Sequence, residues 1–331
     1  MYNQNFAAAP SEVIRKTAEK KKIRSTGMFI GLAMLITVAI VFLWGSVYIN
    51  VMASLGVDAN TAIKWINEPA VLQLANQVLS ALMFTLPFLI ILSGCGYKLH
   101  EIVSFGKPKT EFLLPLILIS IGFCSFANIA GSVIVSVLAE FGIYVPDPMP
   151  EEPRGIFGMA VTFIGTTIVP PIVEEFAMRG LVMGSLRKHG DGFAIIASAL
   201  LFGLVHGNLM QIPFAFIVGL ALGFAVVKTG SIWTGVIIHA VNNGAATLMG
   251  WATEGLSSNG QNVVTLIYFI VCMLCAFVGV LLLKGRSSEA LALSGADSVF
   301  TTKKTAKIFF TSPLIVIYFV FAVIQTMLSL G

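Results

Sequence analysis

The chain has 331 residues, 57% of them hydrophobic and 11% charged, with a formal net charge of +4 and a mean hydropathy of +0.92. Soluble domains carry roughly 25% charged residues, so this composition excludes a string of soluble domains and describes an all-α, polytopic membrane helical bundle. Its basic residues cluster at the ends of apolar runs, which argues against a nucleic-acid partner and for the lipid bilayer as the surrounding medium.

In chain order, residues 1–26 form a basic tail holding Arg15, Lys16, Lys20, Lys21, Lys22 and Arg24. The apolar run that follows, 28–48, is about 21 residues long, enough to span and too long for a signal-peptide core. It predicts a retained first helix with a cytoplasmic N-terminus. Further apolar runs predict spans near 28–49, 71–94, 112–139, 155–186, 192–207, 212–227, 231–251, 263–283 and 308–329. Inner loops then hold Lys98, Lys107, Lys109, Arg187, Lys188, Lys228, Lys284, Arg286, Lys303, Lys304 and Lys307. Outer loops hold Asp58, Lys64, Glu68, Glu140, Asp147, Glu151, Glu152, Arg154 and Glu254. The basic residues fall inside almost throughout, as a bacterial-type plasma-membrane protein requires. The expected count is about eight to nine transmembrane helices, eight if 192–227 is partly re-entrant.

The chain divides into the tail, N-terminal transmembrane helices at 27–154, a central segment at 155–252, and C-terminal transmembrane helices at 253–331 with an inner polar loop at 285–306. No internal repeat of the transporter type is present. Gly180 and Gly184, and Gly219 and Gly223, stand four apart, a spacing that lets helices approach closely. Cys272 and Cys275 form a C-x-x-C pair inside an apolar run, with no second pair to complete a zinc site, and read as buried thiols. His100-Glu101 opens like a zinc-binding HExxH motif, but Ser104 stands where the second histidine belongs. His189, beside Arg187 and Lys188, reads as a solvated inner-loop residue.

Five ionisable residues lie within spans: Glu174, Glu175, Arg179, His206 and His239. A charge at mid-membrane costs about 2.5–3.5 kcal/mol on insertion scales, so such residues face one another or a wet cavity. Glu175 and Arg179 are four apart and stack on one helix face, which leaves Glu174 without a local partner. Pro170 and Pro171 interrupt the helix just upstream. A half-helix restarting there has both acids in its first turn, where free N–H groups and the helix dipole favour anions. Phe202 stands one turn before His206, and Asn243 one turn after His239. Rise-per-residue estimates from the inner loops let these helices meet in one cavity. A carboxylate that takes a proton from water, histidines and an amide suit hydrolysis. The same residues also suit a polar network between helices, or a transport pathway.

Glu174-Glu175-x-x-x-Arg179, Phe202-x-x-x-His206 and His239-x-x-x-Asn243, in this order across about 75 residues, resemble the CAAX protease and bacteriocin-processing (CPBP, or Abi) family of intramembrane proteases. The resemblance implies a membrane-helix core around a polar cavity, spanning the 155–252 segment. It also implies hydrolysis of a peptide bond near the membrane surface, in a peptide or membrane-protein substrate. On that basis Glu174 activates water, His206 positions or deprotonates it, His239 and Asn243 stabilise the oxyanion, and Glu175 with Arg179 braces the site. The family has been described both as metalloproteases and as glutamate-dependent enzymes, and Glu174, His206 and His239 supply three ligands if Zn²⁺ is used. A transporter with a buried Glu/His path and a non-catalytic immunity or scaffold relative are the competing readings.

Overall fold

The computed structural model describes residues 10–145, 153, 155–284 and 291–330, and these are helical with connecting turns; no strand occurs among them. The outer-loop residues Asp147, Glu151, Glu152 and Arg154, and the inner-loop residue Arg286, lie outside the described residues. Six helices among the described residues are long and apolar enough to cross a membrane: Ser11–Ser54, Pro69–Cys95, Thr110–Glu140, Gly155–His189, Gln211–Thr229 and Ser258–Leu283. A seventh span results if Thr302–Phe310 and Pro313–Leu328, bent by 71°, count as one. The polytopic bundle is as expected, but not every one of the eight or nine expected spans meets this measure. Asp191–Val205 has 15 residues, about 22 Å at the α-helical rise. Ile232–Thr253 has the length, but His239, Asn242 and Asn243 dilute its hydropathy.

We number the α-helices α1 (Pro10–Ser54), α2 (Ala59–Ile66), α3 (Pro69–Thr85), α4 (Ile90–Cys95), α5 (Leu99–Ile102), α6 (Thr110–Glu140), α7 (Gly155–Thr167) and α8 (Val169–Glu175). There follow α9 (Gly184–Leu186), α10 (Asp191–Val205), α11 (Gln211–Thr229), α12 (Ile232–Thr253), α13 (Ser258–Leu283), α14 (Thr302–Phe310) and α15 (Pro313–Leu328). From residue 10 onward the basic tail is helical and continuous with the first span.

Small residues set the packing. A Cβ on Gly219 would lie 3.0 Å from that of Ala199, and one on Gly223 would lie 3.2 Å from Ile195, so the Gly219/Gly223 pair does seat α11 on α10. A Cβ on Gly31 would lie 2.5 Å from the backbone carbon of Leu314, and Ser312 Oγ donates to the Arg24 carbonyl at 3.4 Å. This clasp joins α1 to α15. The core beneath it includes Ile30, Met34, Phe309, Ile315 and Tyr318. By contrast α13 presents Leu266, Ile267, Leu274, Phe277 and Leu281 outward, an apolar face of the kind that lipid covers.

The segments expected inside meet at one end of the bundle. Lys109 donates its backbone N–H to the Thr229 carbonyl at 2.9 Å, Lys228 reaches the Ala292 carbonyl, and Asp191 accepts from Arg187 and from the Ser294 backbone. Glu19 accepts from Ser298 and from the Val299 N–H, tying 294–300 to α1. His189, expected to be solvated, is buried beneath this assembly with its Nδ1 3.9 Å from Glu19. The helical extension of α1 and the returning loop cover it, and neither contact has a signal in the local sequence around His189. Cys272 is buried and free, as expected, while Cys275 is half-buried.

Candidate active site

The site is built on α8, α10 and α12 and on a π-helical segment, Phe176–Met183, that continues α8. The helix is interrupted between α7 and α8 at Ile168, whose φ is −112°, and the two prolines lie in the first turn of α8. The expectation that both acids lie in a first turn is corrected here: Glu174 and Glu175 close α8 rather than open it. The prolines initiate the helix at Val169, five residues upstream of Glu174, so free N–H groups do not face the carboxylates. The compensating charge comes from side chains instead. The wide turn that follows carries Arg179; π-helical turns of this kind recur at functional sites.

Glu175 is fully buried and heavily engaged. Its Oε1 accepts from Arg179 Nη1 at 2.8 Å and from His239 Nδ1 at 3.2 Å. A carboxylate only accepts, so Nδ1 of His239 carries a proton. The other imidazole nitrogen, Nε2, faces Glu174 Oε2 at 3.9 Å. Glu174 retains 9% exposure and His239 6%. The adjacent acids are thus unequal: Glu175 is fixed, and Glu174 is the one left at the accessible edge of the cluster.

Phe202 organises the cationic side. The Arg179 guanidinium carbon lies 4.4 Å from the Phe202 ring centroid, a cation–π contact. His206 and His239 meet the same ring edge-on, with centroids at 4.9 and 6.1 Å. His206 Nδ1 donates to the Phe202 carbonyl at 2.8 Å, which makes Nε2 an acceptor in the neutral ring. The sequence marked Phe202 only as a neighbour of His206; its contacts with three polar side chains at once appear only in three dimensions.

Asn243 is held differently from the other motif residues. Its Nδ2 donates to the Thr166 carbonyl at the end of α7 at 3.0 Å, and its Oδ1 accepts from Asn242 at 3.2 Å. One amide hydrogen is therefore spent on joining α12 to α7, and one remains. Sequence reasoning missed Thr166 and Asn242, and it missed two glycines. A Cβ on Gly235 would lie 2.5 Å from Glu175 Oε2, and Gly235 stands one turn before His239, the signal that was available. Gly207 follows His206 with φ +66° and is covered by Gln325 of α15.

Among the described residues, no three His, Cys, Asp or Glu side chains converge to hold a metal ion. The Nδ1 atoms of His239 and His206 are engaged by Glu175 and by the Phe202 carbonyl, which leaves each Nε2 as the nitrogen open to a ligand.

Residues 156–245 match the family described as type II CAAX prenyl endopeptidase Rce1-like. Over 95 residues, 28% of this chain and 39% of the relative, the sequence is 30% identical to YdiL of Bacillus subtilis, named as a candidate membrane peptidase. Over 146 residues, 42% of this chain and 58% of the relative, it is 25% identical to the membrane-embedded CAAX protease MroQ of Staphylococcus aureus. The matches thus span less than two thirds of either relative. No solved structure matches the chain. The matched segment contains all six motif residues, and its similarity is to the family that the motifs resemble.

Proposed function

We propose that the chain is an intramembrane endopeptidase that hydrolyses a peptide bond near the membrane surface with water activated by Glu174. The observation that carries this reading is the inequality of the two acids. Glu175 is tied to Arg179 and His239, whereas the polar partner nearest Glu174 is His239 Nε2 at 3.9 Å, leaving its carboxylate available to a water.

The contacts support the role. His239 bridges the two acids, with Nδ1 on Glu175 and Nε2 toward Glu174, so it can hand a hydrogen bond to whatever forms beside Glu174. Glu174 takes a proton from water as the oxygen adds to the substrate carbonyl carbon. His239 Nε2–H and the remaining amide hydrogen of Asn243 stabilise the oxyanion, and His206 Nε2 accepts from the water and orients it. As the tetrahedral intermediate collapses, the C–N bond breaks and the proton held by Glu174 passes to the leaving nitrogen. The products are a carboxylate and an amine. Phe202, Arg179 and Glu175 position these groups without touching the substrate. The proposed setting is a plasma membrane with the N-terminus cytoplasmic, on the distribution of basic residues.

The test is comparative mass spectrometry of peptides from cells with wild-type or Glu174→Gln protein. Peptides present with the wild type and lost with the variant, at equal protein levels, are the expected result. Identical peptide profiles would sink the assignment. Metal analysis of the purified wild-type protein separates the two branches of the family chemistry: stoichiometric zinc would replace the metal-free route written above.

A further inference from the structure

We infer that the polar end of the bundle holds a binding site for the headgroup phosphate of an anionic phospholipid, in the trough between the N-terminal part of α1 and α14. This inference stands apart from the proposed hydrolysis, and the trough is built from elements outside the segment matched to the family.

The trough is a cavity of about 480 Å³, walled by Lys16, Lys20 and Arg24 on one side and by Phe300, Lys304 and Lys307 on the other. Lys16, Lys20 and Arg24 recur every four residues and share one face of α1. Lys304 and Lys307, three apart, share one face of α14. Five cations thus face one space. The carboxylate against them is Glu12, 2.5 Å from Lys16; no ion pair engages Lys20, Arg24, Lys304 or Lys307 among the described residues. Cations gathered without counter-charge repel one another, and an anion in the trough relieves this. Lys304 is already placed, with its ammonium 4.7 Å from the Phe300 ring centroid.

The depth of the trough selects the source of the anion. Its floor includes Ile308, and beside it Ser312 Oγ meets the Arg24 carbonyl. Just beyond these contacts the apolar runs of α1 and α15 begin. The 71° bend at residues 311–312 turns α14 away from the span. Its exposed Lys303, Lys304 and Lys307 face solvent and its Ile308 and Phe309 face the core, as in a helix lying along a membrane surface. The trough therefore sits at headgroup level, while the exposed Val316, Ile317, Val320 and Phe321 of α15 offer an apolar wall to acyl chains. Basic pockets between spans at this level bind anionic headgroups.

In the test, purified protein in neutral detergent is titrated with phosphatidylglycerol or with phosphatidylcholine of the same acyl chains, and bound lipid is counted by native mass spectrometry. Wild type is expected to retain phosphatidylglycerol preferentially. Changing Lys20, Arg24, Lys304 and Lys307 to Gln should reduce that preference roughly tenfold or more, while Lys→Arg changes at the three lysines preserve it. Equal retention of the two lipids by wild type overturns the site, as does an unchanged preference in the Gln variant. Displacement of the lipid by millimolar inorganic phosphate also overturns it, in favour of a soluble-anion site. Should the fourfold variant not fold, the wild-type preference must still collapse at high salt; a salt-independent preference is equally fatal.

Discussion

His239 reaches from α12 to Glu175 on α8, its Nδ1 3.2 Å from the same carboxylate oxygen that accepts from Arg179. Two neighbouring acids are thereby given different work. Replacing Glu175 with Gln leaves Arg179 without its charge partner, and breaking a buried pair costs about 3–5 kcal/mol. Glu175→Gln should lose both thermal stability and activity. Glu174→Gln should lose activity with the unfolding temperature nearly unchanged. Thermal unfolding in detergent beside the peptide assay separates the two, and equal destabilisation by both variants would contradict the assignment.

Gly235→Ala is expected to act on Glu175 from behind. The new methyl would stand 2.5 Å from Oε2 and 2.9 Å from Val226, so the carboxylate or the helix has to move. Overpacking of this kind costs about 1–3 kcal/mol. The informative measurement is the ratio of effects: activity should fall by more than the fraction unfolded explains. Activity tracking folded protein one-for-one would make Gly235 a packing residue alone.

Gly207→Ala combines two penalties. Its φ of +66° is left-handed, a region that costs an L-residue about 1–2 kcal/mol. A Cβ there also collides with Gln325. Adding Gln325→Ala should relieve the collision but not the backbone strain, so a double-mutant cycle on thermal stability should show partial rescue. Strict additivity would place the two residues out of contact.

Phe202→Leu keeps an apolar side chain yet removes the ring that faces Arg179 and both histidines. The cation–π contact alone is worth about 2 kcal/mol in a desolvated setting. Activity should drop while the helices still assemble, as judged by monodisperse elution. Wild-type activity in the variant would show that the ring does not position the site.

The candidate site was legible because charge is expensive in an apolar run: Glu174, Glu175, Arg179, His206 and His239 stand out with no structure at all. Four-residue spacing correctly paired Glu175 with Arg179. What the sequence misjudged depends on contacts between distant segments. The prolines were expected to place both acids at a helix start, but the break falls at Ile168 and the acids end the helix instead. His189 looked solvated because its neighbours are basic, and only the folding back of α1 and the 294–300 loop buries it. Asp191–Val205 reads as a span by composition but lacks the length.

The clasp between α1 and α15 has a consequence for biogenesis. Arg24 and Ser312, which meet across it, are separated by 288 positions in the chain. The ribosome releases the early helix long before its partner exists, so Gly31 and the surface beside it wait in the bilayer unpaired. This clasp can close only after α15 has been inserted, and Gln325 reaches Gly207, the residue after His206, in that same step. The contact beside His206 is thus made only once α15 is in place.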